Sequence, residues 1–204
     1  MNKILFLIAM AGSIFLSSCS SKPYKVERSI EINTPSEYVF EKVGNNKTRG
    51  EWSPWDKIDP EMKKEYEGPN SGVGAKYSWK SENEDVGTGY IECIESNSPS
   101  NIKRNLTFTS PWESTSIIEW NFKNKEGSTN VSWSVTGELP GMVALFTDMD
   151  EILGANLEDG LSSLKKVCEK NYKVPVEEED NVATMIDTTI VIEEMQIVKK
   201  SPLK

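Results

Sequence analysis

Residues 142–168 read MVALFTDMDEILGANLEDGLSSLKKVC, and this stretch decides the fold. Its apolar residues recur at intervals of three and four, with acidic residues and lysines between them. This period is typical of an amphipathic helix and predicts one continuous helix of about seven turns. Such a helix has to bury its apolar stripe against another apolar surface of the same domain. The stripe consists of Met142, Leu145, Phe146, Met149, Ile152, Leu153, Leu157, Leu161, Leu164 and Cys168.

The chain before this helix is predicted to supply that surface as an antiparallel sheet. It contains short segments in which apolar and polar residues alternate, separated by turn residues, and a period of two indicates β-strands. Two short helical segments are predicted after the first strand, starting near Thr34 and Trp52. We therefore predict an α+β domain in which a curved antiparallel sheet of about seven strands wraps around the C-terminal helix. The predicted strands cover residues 24–33, 62–67, 75–80, 86–95, 102–109, 114–122 and 131–136.

This order of elements resembles a known architecture, and four local strings support the resemblance. They are WSPW at 52–55, GVGAKYSW at 72–79, GTG at 87–89 and TNVSWSVTG at 129–137. Together they resemble the helix-grip fold of the START/Bet v1-like (SRPBCC) superfamily, in particular its bacterial polyketide cyclase/dehydrase and lipid transport branch. The resemblance implies a deep apolar cavity between sheet and helix that binds a hydrophobic small molecule. In a minority of relatives the cavity catalyses cyclisation or dehydration.

The N-terminus resembles a processing signal. The apolar run over residues 4–16 is too short for a typical membrane span and is typical of a secretory signal. The sequence LSSC at 16–19 resembles the bacterial lipoprotein lipobox, in which the cysteine is acylated and becomes the mature N-terminus. These features predict a lipid-anchored protein of the bacterial cell envelope, on the outer membrane if the cell has two membranes, with its domain outside the cytoplasm. We predict a signal peptide over 1–18, lipidation at Cys19 and a short linker over 19–23.

The remainder is predicted to form one domain over residues 24–171, followed by an extension over 172–204. Some proteins that resemble this one carry an effector-binding module after the long helix. The extension holds an acidic run at 177–180 and an alternating stretch at 185–198 that resembles one or two strands of such a module. We interpret it as a remnant of that module or as an extension that packs on the main sheet, with a disordered tail as the alternative.

The composition excludes several classes of function. The 204 residues carry a formal net charge of -9 and contain no histidine. Without a basic run the chain lacks the electrostatic footprint of a nucleic-acid-binding protein, so we expect no nucleic-acid partner. The absence of histidine excludes a histidine general base and histidine-containing metal sites. We expect no metal and no cofactor, and we assign no catalytic residue.

The aromatic side chains are the candidate ligand-binding residues. Aromatic residues are common in the walls of small-molecule pockets, and six tryptophans are many for a domain of this size. The hydroxyls of Tyr77 and Tyr90 could orient a polar end of the ligand. The alternation of a strand does not tell which face of the sheet meets the helix. The candidates are Trp55, Tyr77, Trp79, Tyr90, Phe108, Trp120 and Trp133 from the sheet and short helices, with Phe146 and Met149 from the long helix.

Charged residues and thiols give weaker signals. Glu92 follows Tyr90 on the same strand face, and Asp148, Asp150 and Glu151 lie beside the apolar stripe. A buried acid of this kind could act as a general acid or base, but solvated positions are the expectation. Arg104 is expected to pair with an acid on a neighbouring strand, with a ligand carboxylate as the alternative partner. Cys93 and Cys168 are interpreted as two separate buried thiols, with a disulfide between them as the alternative.

Three functions follow from these patterns. The first is a membrane-anchored carrier or sensor, not an enzyme, that binds a hydrophobic or amphiphilic small molecule in the cavity. The second is a cyclase/dehydrase or hydrolase that uses a cavity tyrosine and a carboxylate. The third is a structural or interaction lipoprotein whose core is closed. Convergence of a carboxylate with Tyr77 or Tyr90 inside the cavity would favour the enzyme.

Overall fold

The computed structural model describes residues 21–173. This range contains seven strands and one long C-terminal helix. Short helical elements lie between the first two strands and just before the long helix. The strands are β1 (Ser21–Ile32), β2 (Lys63–Glu67), β3 (Lys76–Lys80), β4 (Thr88–Asn97), β5 (Asn101–Ser110), β6 (Ser114–Lys125) and β7 (Ser128–Pro140). The helices are α1 (Ser36–Gly44), α2 (Pro54–Ile58) and α3 (Met149–Asn171), with 3₁₀ turns at Asn46–Glu51 and Val143–Leu145. The predicted helix-grip architecture is confirmed.

All seven strands form one antiparallel sheet in the order β1-β7-β6-β5-β4-β3-β2. Strands β2 to β7 are a meander, and β1 adds to its far side by pairing with β7 from Ser21 opposite Pro140 to Ile32 opposite Thr129. The β6–β7 turn contains Gly127, whose φ of 77° favours glycine. A register shift in β4 between Cys93 and Glu95 bends that strand, because an irregularity of this kind increases local twist.

Helix α3 lies across the concave face of this sheet. It buries Leu157, Leu161, Leu164 and Cys168 among the core residues of the sheet. Its Gly160 sits so close to Trp133 that an added Cβ would lie 2.7 Å from the indole ring. The helix and the sheet therefore pack with no room for a side chain at this position.

The long helix is shorter at its N-terminus than the sequence pattern predicts. The apolar repeat suggests a start at residue 142, but α3 begins at Met149. The helix begins there because the side chain of Asp148 accepts hydrogen bonds from the backbone N–H groups of Asp150 and Glu151 and so caps the helix N-terminus. Residues 142–146 lie outside the helix, and four of their five side chains are exposed, Met142, Val143, Leu145 and Phe146.

Arg104 is buried in β5, and the expectation that it pairs with an acid is wrong. Its Nη2 donates hydrogen bonds of 2.8 and 2.9 Å to the carbonyls of Val43 and Gly44 at the end of α1. These carbonyls lack intrahelical partners, so the guanidinium satisfies groups that would otherwise be buried without a hydrogen bond. Burial lowers the pKa of Arg104 to about 10, which leaves it charged at neutral pH.

The described range contains its own hydrophobic core. The buried apolar residues run from Val26 in β1 to Cys168 in α3 and form one cluster. A core of this extent is what allows a domain to fold by itself. Cys93 and Cys168 are buried free thiols, as expected. None of the helices in residues 21–173 is long and apolar enough to cross a bilayer.

Two of the sequence-based predictions fall largely outside this range. The signal peptide and the lipidation site at Cys19 precede it, and nearly all of the extension over 172–204 follows it. Within the described part, the first strand begins at Ser21, three residues before the predicted start at Tyr24.

Candidate ligand cavity

A cavity of about 340 Å³ lies between the concave face of the sheet and α3. This volume is at the lower end of the range of about 300–1,000 Å³ for small-molecule sites. Most of the wall is apolar or aromatic. The apolar wall includes Met62, Val86, Ile91, Leu106, Ile118, Val135 and Leu139 from the sheet side and Ile152 and Leu153 from α3.

Two aromatic groups frame the cavity. On one side, Tyr77 stacks on Trp79 at 5.8 Å between ring centroids, and Trp79 meets Phe108 edge to face at 5.6 Å. On the other side, Trp55 meets Trp133 edge to face at 5.9 Å. Edge-to-face and stacked arrangements are the favourable geometries of aromatic pairs, so these walls are held in place by their neighbours.

Six of the nine candidate cavity residues line this space. They come from α2, from three strands and from the first turn of α3, so only the folded sheet brings them together. Whether they contact a ligand stays a prediction. The six are Trp55, Tyr77, Trp79, Phe108, Trp133 and Met149.

The other three candidates do not line the cavity. Tyr90 alternates with the buried residues Gly89 and Ile91 and lies on the outer face, where the Lys76 ammonium is 5.1 Å from its ring centroid. Trp120 is buried on the same face of the sheet, but it stacks on its cross-strand neighbour Trp133 at 4.3 Å and is not part of the cavity wall. Phe146 is 86% exposed, because α3 begins only after it.

The predicted acids lie outside the cavity. Glu92 lies on the outer face of β4, as Tyr90 does. Asp148 caps α3, and Asp150 forms a bidentate pair with Arg28 at 2.8 Å for both oxygens. Glu151 is exposed. The solvated positions expected for these acids are therefore what the structure shows, and no cluster of three acidic or cysteine ligands for a metal occurs among residues 21–173.

The polar residues at the buried end of the cavity were not predicted from the sequence. Arg49 and Asp56 line this end and are 7% and 8% exposed. Asp56 Oδ1 accepts a hydrogen bond from Lys64, while Asp56 Oδ2 has no hydrogen-bond partner within residues 21–173. Tyr77 donates to the sulfur of Met62 at 4.0 Å, and burial raises the pKa of its phenol. The only available signal was that Arg49 and Asp56 flank the WSPW string.

The mouth of the cavity has a different character. Its wall includes the exposed acids Glu84, Asp85 and Glu138, so the entrance is acidic whereas the buried end contains Arg49. Trp112, which is 80% exposed, also lines the mouth.

An exposed apolar segment adjoins this mouth. Residues 142–146 follow directly after β7, whose last residues Glu138 and Leu139 belong to the cavity wall. We call the exposed apolar side chains at this end of the domain the apolar rim. The apolar rim consists of Trp112, Met142, Val143, Leu145, Phe146 and Ile152.

These features define a helix-grip domain with a cavity between sheet and helix, and the comparison of sequences identifies its family. The family model described as polyketide cyclase/dehydrase and lipid transport matches residues 23–169, which is well over half of the chain. The protein therefore belongs to this family, and the resemblance stated from the sequence is confirmed. No curated protein sequence matches the chain.

Solved structures with the same fold are distant in sequence. Protein Mll3558 from Rhizobium loti is 14% identical with a TM-score of 0.56, and the match covers 72% of this chain and 98% of that chain. The Aha1 dimer from Colwellia psychrerythraea is 13% identical with a TM-score of 0.54 over 74% and 99%. Ara h 8.0201 is 13% identical with a TM-score of 0.51 over 74% and 100%. Identities this low establish the fold and not a shared ligand.

Proposed function

We propose that this protein is a lipid-anchored carrier or sensor that binds a hydrophobic or amphiphilic small molecule without converting it. The observation that carries this proposal is the cavity of about 340 Å³ with a largely apolar and aromatic wall. Removing an apolar ligand from water into such a space is favourable, and its affinity grows with the apolar area buried. An open cavity also speaks against a core closed by its own side chains.

The position of the apolar rim supports attachment to a membrane. Ser21 at the start of β1 pairs with Pro140, the residue that ends β7 just before residues 142–146. Cys19 precedes Ser21 by two residues, a reach of about 7 Å at most. An acyl chain on Cys19 would therefore enter the bilayer close to the apolar rim and to the cavity mouth. A ligand could then pass between bilayer and cavity along one apolar surface.

The contacts of the cavity tyrosine favour binding over acid–base catalysis. Within residues 21–173, neither Tyr77 nor Tyr90 is hydrogen-bonded to a carboxylate, and the Tyr77 hydroxyl donates to Met62. Burial raises the pKa of Tyr77, so its phenol is a poor base at neutral pH. Asp56 shares the cavity with Tyr77, but its Oδ1 is already engaged by Lys64.

Native mass spectrometry with lipid extraction tests the carrier proposal. A chain of residues 21–204 keeps the complete described core, and it is purified from a bacterial periplasm without detergent. We expect a co-purifying apolar or amphiphilic molecule of defined mass that is lost on extraction and returns on incubation with it. An empty protein that takes up no alkyl probe would contradict the proposal.

A further inference from the structure

One cationic side chain at the buried end of the cavity has no partner of opposite charge in the part of the chain that the structure describes. Arg49 lines the cavity and is 7% exposed. In the described part of the chain, its guanidinium makes neither a salt bridge nor a side-chain hydrogen bond. Its Cζ lies 5.5, 6.0 and 5.6 Å from the ring centroids of Trp52, Trp55 and Tyr77. These rings hold the group in place but provide no anion.

The buried acid that could have neutralised Arg49 already forms an ion pair with another residue. Asp56 is the one buried acid among those that line the cavity, and it forms its ion pair with Lys64. It lies beyond ion-pair distance from Arg49. Since Asp56 is paired with Lys64, Arg49 has no ion-pair partner within residues 21–173.

A second buried cation lies behind the cavity wall. Arg104 does not line the cavity, and it donates hydrogen bonds to the carbonyls of Val43 and Gly44. Burial and the nearby charge of Arg49 both lower the pKa of Arg104. Arg49 itself places a positive charge at the inner end of the cavity, whereas the exposed acids Glu84 and Asp85 make its mouth negative.

A buried charge without a partner is costly, and a guanidinium has the geometry to bind a carboxylate through two parallel hydrogen bonds. We propose that Arg49 binds the carboxylate headgroup of an amphiphile, whose alkyl chain extends past Trp79 and Phe108 toward the mouth. The acidic mouth disfavours the opposite orientation, because it would place the headgroup beside Glu84 and Asp85. This inference rests on the proposed function, since it presupposes that the cavity takes up an amphiphile.

Binding of two matched probes to residues 21–204 tests the inference. Dodecanoate and dodecanol share an alkyl chain and differ in the charge of the headgroup. We expect the wild type to bind dodecanoate at least about tenfold more tightly at pH 8, because hydrogen bonds to a charged group are stronger than neutral ones. Arg49→Met keeps an unbranched side chain of similar length without the charge, and we expect it to lose this preference while still binding dodecanol.

Two further variants separate the local charge from other effects. Arg49→Lys keeps the charge without the planar fork and should retain part of the preference for dodecanoate. Lys125→Met removes one positive charge from the β6–β7 hairpin, at the other end of these strands from the mouth, and should leave both affinities unchanged. Circular dichroism of every variant shows which of them are folded.

A measurement on the wild type keeps the test independent of folding of the variants. Dodecanoate labelled at its carboxyl carbon reports the protonation of the headgroup by nuclear magnetic resonance. We expect a carboxyl pKa below that of the free acid when it is bound, because Arg49 stabilises the charged form. Equal affinity for the two probes, or an unshifted or raised carboxyl pKa, would overturn the inference and leave the carrier proposal intact. Failure of both probes to bind would instead refute the carrier proposal.

Discussion

At the scale of single residues, the tryptophans divide into two environments. Trp133 is fully buried, stacks on Trp120 and meets Trp52 and Trp55 edge to face, so it joins the sheet to the short helices. Trp112 is 80% exposed at the cavity mouth. The same side chain therefore has a structural role in one position and is free for interaction in the other.

This difference predicts unequal effects on stability. We expect Trp133→Ala to lower the free energy of unfolding by about 3–5 kcal/mol, since it removes a large side chain from a packed core. Trp112→Ala serves as the matched control and should change it by no more than about 0.5 kcal/mol. Urea unfolding followed by circular dichroism measures both. Similar losses in the two variants would show that Trp112 is packed in the folded protein.

At the scale of elements, the contact between α3 and the sheet depends on Gly160. An added Cβ would lie 2.7 Å from Trp133 and 3.2 Å from the ring of Pro54, and neither ring can move without disturbing its neighbours. Gly154 lies on the same helix, but the atoms that an added Cβ would meet there belong to the guanidinium of Arg28, which can shift at the cost of its exposed ion pairs with Asp150 and Glu158.

These two glycines predict unequal effects of the same substitution. Gly160→Ala should destabilise the domain toward the upper end of the range of about 1–3 kcal/mol that overpacking costs, because its neighbours are rigid. Gly154→Ala should change the free energy of unfolding by no more than about 1 kcal/mol, because the better helix propensity of alanine offsets the weakened, exposed ion pairs of Arg28. Thermal unfolding of both variants provides the measurement. A Gly160→Ala variant as stable as Gly154→Ala would mean that α3 can shift away from the sheet.

The apolar rim is the second feature at this scale, and it predicts membrane binding by the domain itself. We expect residues 21–204 to co-sediment with phosphatidylcholine vesicles. Replacing Leu145 and Phe146 with serine should weaken binding at least tenfold, since inserting even one such side chain contributes about 1.5 kcal/mol. Added salt should have little effect on vesicle binding, because the chain is acidic and we expect no electrostatic attraction to the vesicles.

A control and an alternative outcome complete this vesicle experiment. Val73 is an exposed apolar residue outside the rim, and Val73→Ser should bind vesicles like the wild type. If instead the protein dimerises in solution and the double serine variant is monomeric, the rim is an interface between two copies and not a membrane surface. Size-exclusion chromatography distinguishes the two cases.

At the scale of the whole molecule, the anchor predicted at Cys19 sets where the domain works. Cells that produce the full chain are supplied with an alkyne-bearing fatty acid, and its incorporation into the protein is detected. We expect labelling of the wild type and its loss in Cys19→Ala, because the acyl chain attaches to that sulfur. Cys93→Ala removes a buried thiol instead and should remain labelled. If Cys19→Ala is labelled as strongly as the wild type, the lipoprotein prediction is contradicted.

The sequence by itself determined the class of fold, because periodicity is a local property of the chain. The alternation of the strands and the repeat in residues 142–168 depend only on which residues must be buried, and seven strands with a long helix followed from them. The boundary at Asp148 was missed, since a hydrophobic repeat carries no information about a capping hydrogen bond. The resemblance of the local strings to one family was likewise readable from the sequence and is confirmed.

Only the tertiary structure decided which residues form the cavity. Tyr77 and Tyr90 are equivalent in the sequence pattern, yet the pairing of the strands turns Tyr77 inward and Tyr90 outward. Apart from its place beside the WSPW string, Arg49 carried no signal in the sequence, because its significance depends on burial and on the lack of an ion-pair partner within residues 21–173. Burial changes the energy of a charge far more than that of an apolar group, so the polar end of a cavity is the feature that a linear sequence reveals least.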